Sequence, residues 1–286
     1  MRGVAPADRI AALADADSVT RFPPPGASPH LARFGIAARE DDGIVVARAR
    51  LDGAPVFVVA QDETYLAGSV GERHGAALRA MFEAARAERP QAIVLLLASG
   101  GVRLHEANAG LIAISEIMRA VLEVRAAGVP VLALIGGICG AFGGMGIVAR
   151  MCSRVIMSEE GRLALSGPDV IETVAGVEEF DARDRALVWR VTGGKHRLLT
   201  GDCDELVDDD IDAFRAAAAR ATRSVIEHAP TLPDVRKRHE ALARRAQRFA
   251  GLRDGADAWR LLGIADPHAI SMLTAGEMMA LAGATP

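Results

Sequence analysis

Residues 93–146 constrain the fold more than any other part of the chain. They read IVLLLASGG, then a helical span, then GVPVLALIGGICGAFGGMG. Two apolar runs of strand length, 93–98 and 131–135, each pass directly into glycine-rich backbone, Ser99-Gly100-Gly101 and the segment 136–146. Between them, residues 106–127 keep Leu111, Ile114, Ile117, Met118, Val121 and Val124 at helical spacing, closed by Gly128 and Pro130. This predicts a strand, helix, strand unit, the building block of a parallel sheet covered by helices. Glycine after a buried strand permits positive φ and lets backbone N–H groups approach a ligand with no Cβ in the way. Where Gly143-Gly144 opens a helix, the first N–H groups are free and the dipole is positive, so a developing oxyanion can be held there. Such glycines also serve simply as turns and close packing points. Two of these loops after neighbouring strands favour the chemical reading.

The rest of the composition narrows the function classes. A chain of 286 residues, 50% hydrophobic, buries a sizeable core. With 33 basic against 37 acidic residues and 4% aromatics, it lacks both the positive footprint and the stacking surface of a nucleic-acid binder. No apolar run approaches the roughly 18 residues of a membrane span, and the opening MRGVAPADR lacks the apolar core of a signal peptide, so a cytoplasmic location is expected. Cys139, Cys152 and Cys203 form no CxxC pair, which argues against a disulfide framework and a zinc site; no metal is expected.

In chain order, residues 6–22 predict a short helix ended by Pro23-Pro24-Pro25-Gly26, and the runs around Asp52-Gly53 predict a hairpin. Residues 72–88 predict an amphipathic helix, 154–158 and 162–165 two short strands, and Gly167-Pro168-Asp169 the start of a helix through Val174. Residues 203–223 are acidic and then alanine-rich and helical, the acidic part suiting a helix N-terminus. After Pro230 and Pro233 comes a basic helix, then two short helical patterns in which Met272, Met278 and Met279 offer adaptable apolar surface to a partner. The expected division is 1–228 for the main domain and 229–286 for a helical, partner-facing extension.

Five blocks resemble one family. ADRIAALADADSVTRF resembles the opening of carboxyltransferase subunits, and AQDETYLAGSVGERHG resembles their AQD and GExHG signature. LLLASGGVRLHEA is similar to their SGGAR loop, GGICGAFGGMG to their second glycine-rich loop, and GPDVIE to their GPxVIE helix. The blocks occur in the family's order across residues 7–172, and the family is that of the acyl-CoA carboxylase carboxyltransferases. The resemblance implies a crotonase-like α/β fold, a spiral of ββα units with a helical C-terminal extension. Within the family, GVRLHEANAGL, FGGMGI and WRVTGGKHRLLTG are similar to the beta-subunit branch of biotin-independent malonate decarboxylases. The zinc-ribbon branch, with four N-terminal cysteines, does not fit.

The resemblance further implies an enzyme that decarboxylates malonyl carried on the phosphopantetheine-like arm of an acyl carrier protein, with no cofactor bound by this chain. Its partners would be a second crotonase-like (gamma) subunit and the acyl carrier protein. Decarboxylation leaves an enolate whose charge sits on the thioester oxygen, and paired N–H donors suffice to hold it. By analogy the donors are Gly100, Gly101, Gly143 and Gly144. Arg103, His105 and Glu106 follow the SGG loop closely enough to line the site, Ser99 within that loop is a further substrate-binding candidate, and Lys195 and Arg197 are candidates for phosphate contacts or part of a solvated loop. His74 and Glu72 are candidates for orienting a loop, while Cys139, with no histidine near in sequence, is not expected to be a nucleophile. A carboxyltransferase subunit that passes the carboxyl group to biotin shares both glycine loops, and a non-catalytic scaffold half is the third reading.

Overall fold

The computed structural model describes residues 3–137, 139–225 and 230–284. Helix α1 (Pro6–Leu13) precedes a two-residue strand, β1 (Thr20–Arg21), and the hairpin of β2 (Ile44–Leu51) and β3 (Ala54–Gln61). Asp52 and Gly53 turn it with φ of 52° and 80°, the pair of positive values that a type I′ turn requires. Then come α2 (Glu72–Glu88), β4 (Ala92–Leu97), α3 (Asn108–Ala126), β5 (Val131–Ile135), α4 (Gly143–Met151) and β6 (Arg154–Ser158). Helices α5 (Pro168–Ala175), α6 (Arg185–Thr192) and α7 (Gly194–Leu199) lead to β7 (Glu205–Val207) and α8 (Ile211–Ser224). The chain ends in α9 (Leu232–Arg248), α10 (Gly255–Leu261) and α11 (Ala275–Ala284).

The seven strands lie side by side in chain order; β1, β2 and β3 are antiparallel and β3 to β7 are parallel. Successive crossovers of one hand, all stepping the same way, set their helices on the same face. Accordingly Ile93, Leu95 and Leu97 of β4 pack with Leu78 and Phe82 of α2, Ile117 and Val121 of α3, and Met145 of α4. The alternate residues Val94 and Leu96 face Ile10 and Leu13 of α1 and Phe214 and Ala218 of α8. Every residue of β4 and β5 is buried, which explains their unbroken apolar runs. Each large side chain so buried stabilises the fold by about 1.5–3 kcal/mol.

Several expectations shift. The first helix stops at Leu13, and α3 begins only at Asn108, after a 3-10 turn at Leu104–Glu106 and an Ala107 held at φ 46°. Residues 162–165 make isolated bridges, Leu163 to Ala141 and Arg162 to Gly193, instead of a strand. Helices α6 and α7 and strand β7 were not legible. In the tail, Met278 is fully buried and the Met279 sulfur accepts the Leu206 N–H at 3.3 Å, so these methionines seal the β7 edge and only Met272 is widely exposed. Ala256, Trp259 and Ile270 likewise join the core of the sheet, whereas no residue of α9 is buried. No described helix is long and apolar enough to cross a membrane.

Candidate active site

The two glycine loops leave the carboxyl ends of adjacent parallel strands, β4 and β5, and are stitched together beyond the sheet. Ser99 donates its N–H to the Gly140 carbonyl (2.8 Å), and its own carbonyl accepts the Phe142 N–H (2.9 Å). Ala141 bridges onward to Leu163, with Ala141 N–H on the Arg162 carbonyl at 2.8 Å. On the other flank Val70 bridges Val102. Gly101 and Gly143 then meet back to back: a Cβ on either would lie 3.2 Å from the other's Cα. Their φ values, 109° and 54°, belong to the left-handed region, so glycine is required on both counts.

Not all four expected donors are free. The Gly100 N–H donates to the Ala67 carbonyl and the Gly143 N–H to the Leu165 carbonyl, both at 2.8 Å. Gly101 donates to its neighbour Ser99 Oγ at 3.2 Å. Among the described residues, the N–H groups of Val102, Gly144 and Met145 donate to no acceptor. Gly144 and Met145 occupy the first turn of α4, where N–H groups point out along the positive end of the helix. Val102 N lies 3.8 Å from where a Gly143 Cβ would sit. Sequence reasoning missed Val102 and Met145; their only signal was that each directly follows a glycine pair.

The carbonyl that takes the Gly100 N–H is itself presented under strain. Leu66, Ala67 and Gly68 all have positive φ, at 50°, 55° and 62°, and a Cβ on Gly68 would fall 1.8 Å from the Ala98 carbonyl oxygen. Strain of about 1–3 kcal/mol per non-glycine residue persists where surrounding contacts dictate it, often beside a functional site.

Arg103, expected to line the site, is instead the centre of a buried polar hub. Its Nη1 donates to Asp42 Oδ1 (2.7 Å) and Glu106 Oε1 (2.9 Å), and its Nη2 to the Ser69 carbonyl (3.0 Å). Glu106 also accepts Ser28 Oγ–H and the Glu72 N–H. Burial raises the Glu106 pKa, but those donors and Arg103 outweigh it and hold the carboxyl below its ordinary value. Asp42 is pushed up by burial, with Arg103 pulling the other way. His74 belongs to the same layer. Its N–H donates to Asp42 Oδ2, its Nδ1 lies 3.2 Å from the Asp42 carbonyl, and its Nε2 lies 3.0 Å from Gln61 Nε2. Gln61 Oε1 accepts the Ala98 N–H (3.2 Å), so the ring supports the root of the first glycine loop. Burial lowers the His74 pKa to about 4, which makes it a neutral positioning group.

The other candidates do not converge on the loops. His105 is exposed, edge-on to Phe34. Lys195 is buried between Glu159 Oε1 and the Ser271 carbonyl, each at 3.0 Å. Arg197 reaches Asp202 and the Val191 carbonyl. Ser99 is buried and acts through its backbone and its contact with Gly101. Cys139 sits by the Ala67 carbonyl with its pKa pushed up to about 11 by burial, a thiol and not a thiolate at neutral pH. Among the described residues, no cluster of three or more His, Cys, Asp or Glu is placed to hold a metal ion.

Both stitched loops and the helix N-terminus at their junction lie within the residues that a family model matches. The carboxyl transferase domain matches residues 5–245. The chain belongs to the carboxyl transferase domain family. It is 36% identical to the malonyl-S-ACP:biotin-protein carboxyltransferase MADC of Malonomonas rubra, across 96% of this chain and 93% of that protein. It superposes on a subunit of a Pseudomonas malonate decarboxylase hetero-tetramer in complex with malonate with a TM-score of 0.82 and 39% identity, covering 90% of this chain and 95% of that one. A Pseudomonas malonate decarboxylase MdcD-MdcE hetero-dimer gives a TM-score of 0.68 at 35% identity over 84% and 94% of the two chains. Transcarboxylase 12S, at 22% identity, shares the fold, with a TM-score of 0.66 over 78% of this carboxyl transferase and 41% of that chain. The crotonase-like fold expected from the sequence is the fold observed.

Proposed function

We propose that this carboxyl transferase decarboxylates malonyl carried as a thioester on an acyl carrier protein, releasing acetyl carrier protein and carbon dioxide. The observation that carries the reading is the set of free N–H groups at Val102, Gly144 and Met145, gathered where Gly101 and Gly143 touch. In the reaction the bond between the carboxylate carbon and Cα breaks and its electron pair enters the enolate, so charge develops on the thioester oxygen. Carbon dioxide leaves and a proton reaches Cα. Fixed donors aimed at that oxygen cost no reorganisation, and each is worth about 3–4 kcal/mol. The phosphopantetheine-like arm brings the substrate, and the chain's own contribution is backbone dipole.

The site is one wall of a groove. Leu104 and Leu165 beside the loops are 85% and 68% exposed, and Leu111 and Ile112 of α3 and Val170 and Val174 of α5 are exposed as well. A second crotonase-like subunit seated there excludes water and strengthens every contact to the enolate. The hetero-oligomeric malonate decarboxylases similar to this chain support that partner. Helix α9, none of whose residues is buried, is the part of residues 229–286 that we assign to partner contact.

The likeness to a malonyl-S-ACP:biotin-protein carboxyltransferase supports a second reading, in which the carboxyl group passes to biotin. Mass spectrometry of the carrier-bound acyl group, in the reconstituted complex with and without a biotin carrier, separates the two. Decarboxylation predicts acetyl carrier at the same rate in both; a requirement for the biotin carrier contradicts it.

A further inference from the structure

Beside the second glycine loop, α9 spans a cleft against α4 and α7. Two adjoining hollows of about 410 and 400 Å³ share Arg150, Asp202, Arg238, Leu242 and Arg245 as walls, and the first is also lined by Arg197 and by Leu165, whose carbonyl holds the Gly143 N–H. Three guanidiniums crowd one carboxylate. Arg197 Nη1 lies 3.3 Å from Asp202 Oδ2, Arg245 Nη2 3.1 Å from the same carboxylate, and Arg150 Nη2 3.4 Å from it. Arg150 also donates to the Asp202 and Gly201 carbonyls, and Arg245 to the Thr200 carbonyl, so they are fixed in place. The fourth, Arg238, pairs with no acceptor among the described residues. The Arg197 Nε is buried and unpartnered as well.

The charges do not balance. Four guanidiniums face two carboxylates, Asp202 and Asp204, and Asp204 is already engaged with the Val155 N–H at 2.7 Å. Two positive charges are left over. Burial raises the Asp202 pKa, yet Arg245, Arg150 and Arg197 together outweigh it and keep the carboxyl ionised. Burial lowers the pKa of Arg150, with Arg238 and Arg245 pushing the same way against Asp202. A fold that only needed to anchor α9 would not gather four like charges around so little acid.

We infer that this cleft is an anion site for phosphate esters. An excess of two positive charges matches a phosphate monoester or pyrophosphate better than a single carboxylate, and guanidinium forks suit phosphate oxygens. The site goes beyond the function proposed above and is read out without turnover, so either can fail alone. Two sources share the chemistry, the arm of an acyl carrier and free CoA.

The test uses the full chain and inorganic pyrophosphate, followed by titration calorimetry and thermal melting. We expect saturable binding that raises Tm, weakened at least about tenfold by Arg238→Glu. Arg238 is exposed and holds nothing inside the fold, so that variant keeps its structure. Arg236→Glu makes the same charge change on α9 away from the cleft and should bind normally. Displacement of pyrophosphate by CoA assigns the site to the nucleotide, and displacement by a phosphopantetheinylated carrier assigns it to the arm. Absence of saturable binding, equal weakening in both variants, or displacement by neither ligand overturns the inference.

Discussion

A side chain on Gly143 would put its Cβ 3.2 Å from the Gly101 Cα, although the two residues follow different strands. With φ of 54° at Gly143, any substitution is strained by its backbone as well as by this contact. We therefore expect Gly143→Ala to lower stability by about 1–3 kcal/mol and to reduce turnover by separating the loops. A thermal melt and steady-state kinetics on one preparation check this. Unchanged Tm with only a raised KM points instead to crowding of the thioester.

Removing a single donor needs more care than the sequence suggests. Gly144→Pro abolishes the N–H, and proline suits a first helical turn, but its Cβ would lie 2.7–2.8 Å from side-chain carbons of Ile114. Ile114→Ala opens that space. Measured against Ile114→Ala alone, Ile114→Ala/Gly144→Pro should lose at least about 10² in kcat if Gly144 holds the oxyanion. Equal rates in the two remove Gly144 from the site, and full activity with both loops disrupted would favour a scaffold role.

Arg103→Ala should act on the fold and leave substrate binding alone. The side chain is fully buried between Asp42 and Glu106, and deleting one partner of a buried ion pair costs about 3–5 kcal/mol. Denaturant unfolding measures the loss. A variant of normal stability with a raised KM returns Arg103 to the substrate.

Acid should destabilise the protein through its buried histidines. Burial holds His74 at about 4 and His196 at about 3, against 6.5 when unfolded. Below pH 6.5 the unfolded chain takes up protons that the native state refuses, so stability present at neutral pH is lost as pH falls toward 4. For His74 alone this amounts to about 3 kcal/mol. His74→Gln, melted between pH 7 and pH 4, should show a shallower decline, with the remainder due to His196. A decline as steep as wild type places the titration elsewhere.

What was legible in the sequence follows from how each element is encoded. Strands β4 and β5 are buried on both faces, so their signal is the apolar run itself, and α2 spans the expected residues because Gly71 and Arg89 bound a regular amphipathic stretch. The three residues of β7, by contrast, owe their pairing to β6 and to cover from Met279, contacts that no local pattern announces. The glycine loops were visible as a place but not as a hydrogen-bond pattern. Whether Gly100 or Val102 keeps its N–H depends on the Ala67 carbonyl, which arrives from a strained turn some thirty residues earlier. Arg103 had the spacing of a site residue, and only the carboxylates of Asp42 and Glu106 drew it inward.

We expect these loops to catalyse decarboxylation once a second crotonase-like subunit closes the groove. The most direct test is carbon dioxide release from malonyl carrier protein, measured with this chain alone and then with the candidate partner titrated in. We expect no turnover from the lone chain and a rate that rises to saturation at a fixed subunit ratio. A lone chain that turns over as fast as the mixture would contradict a need for the second subunit.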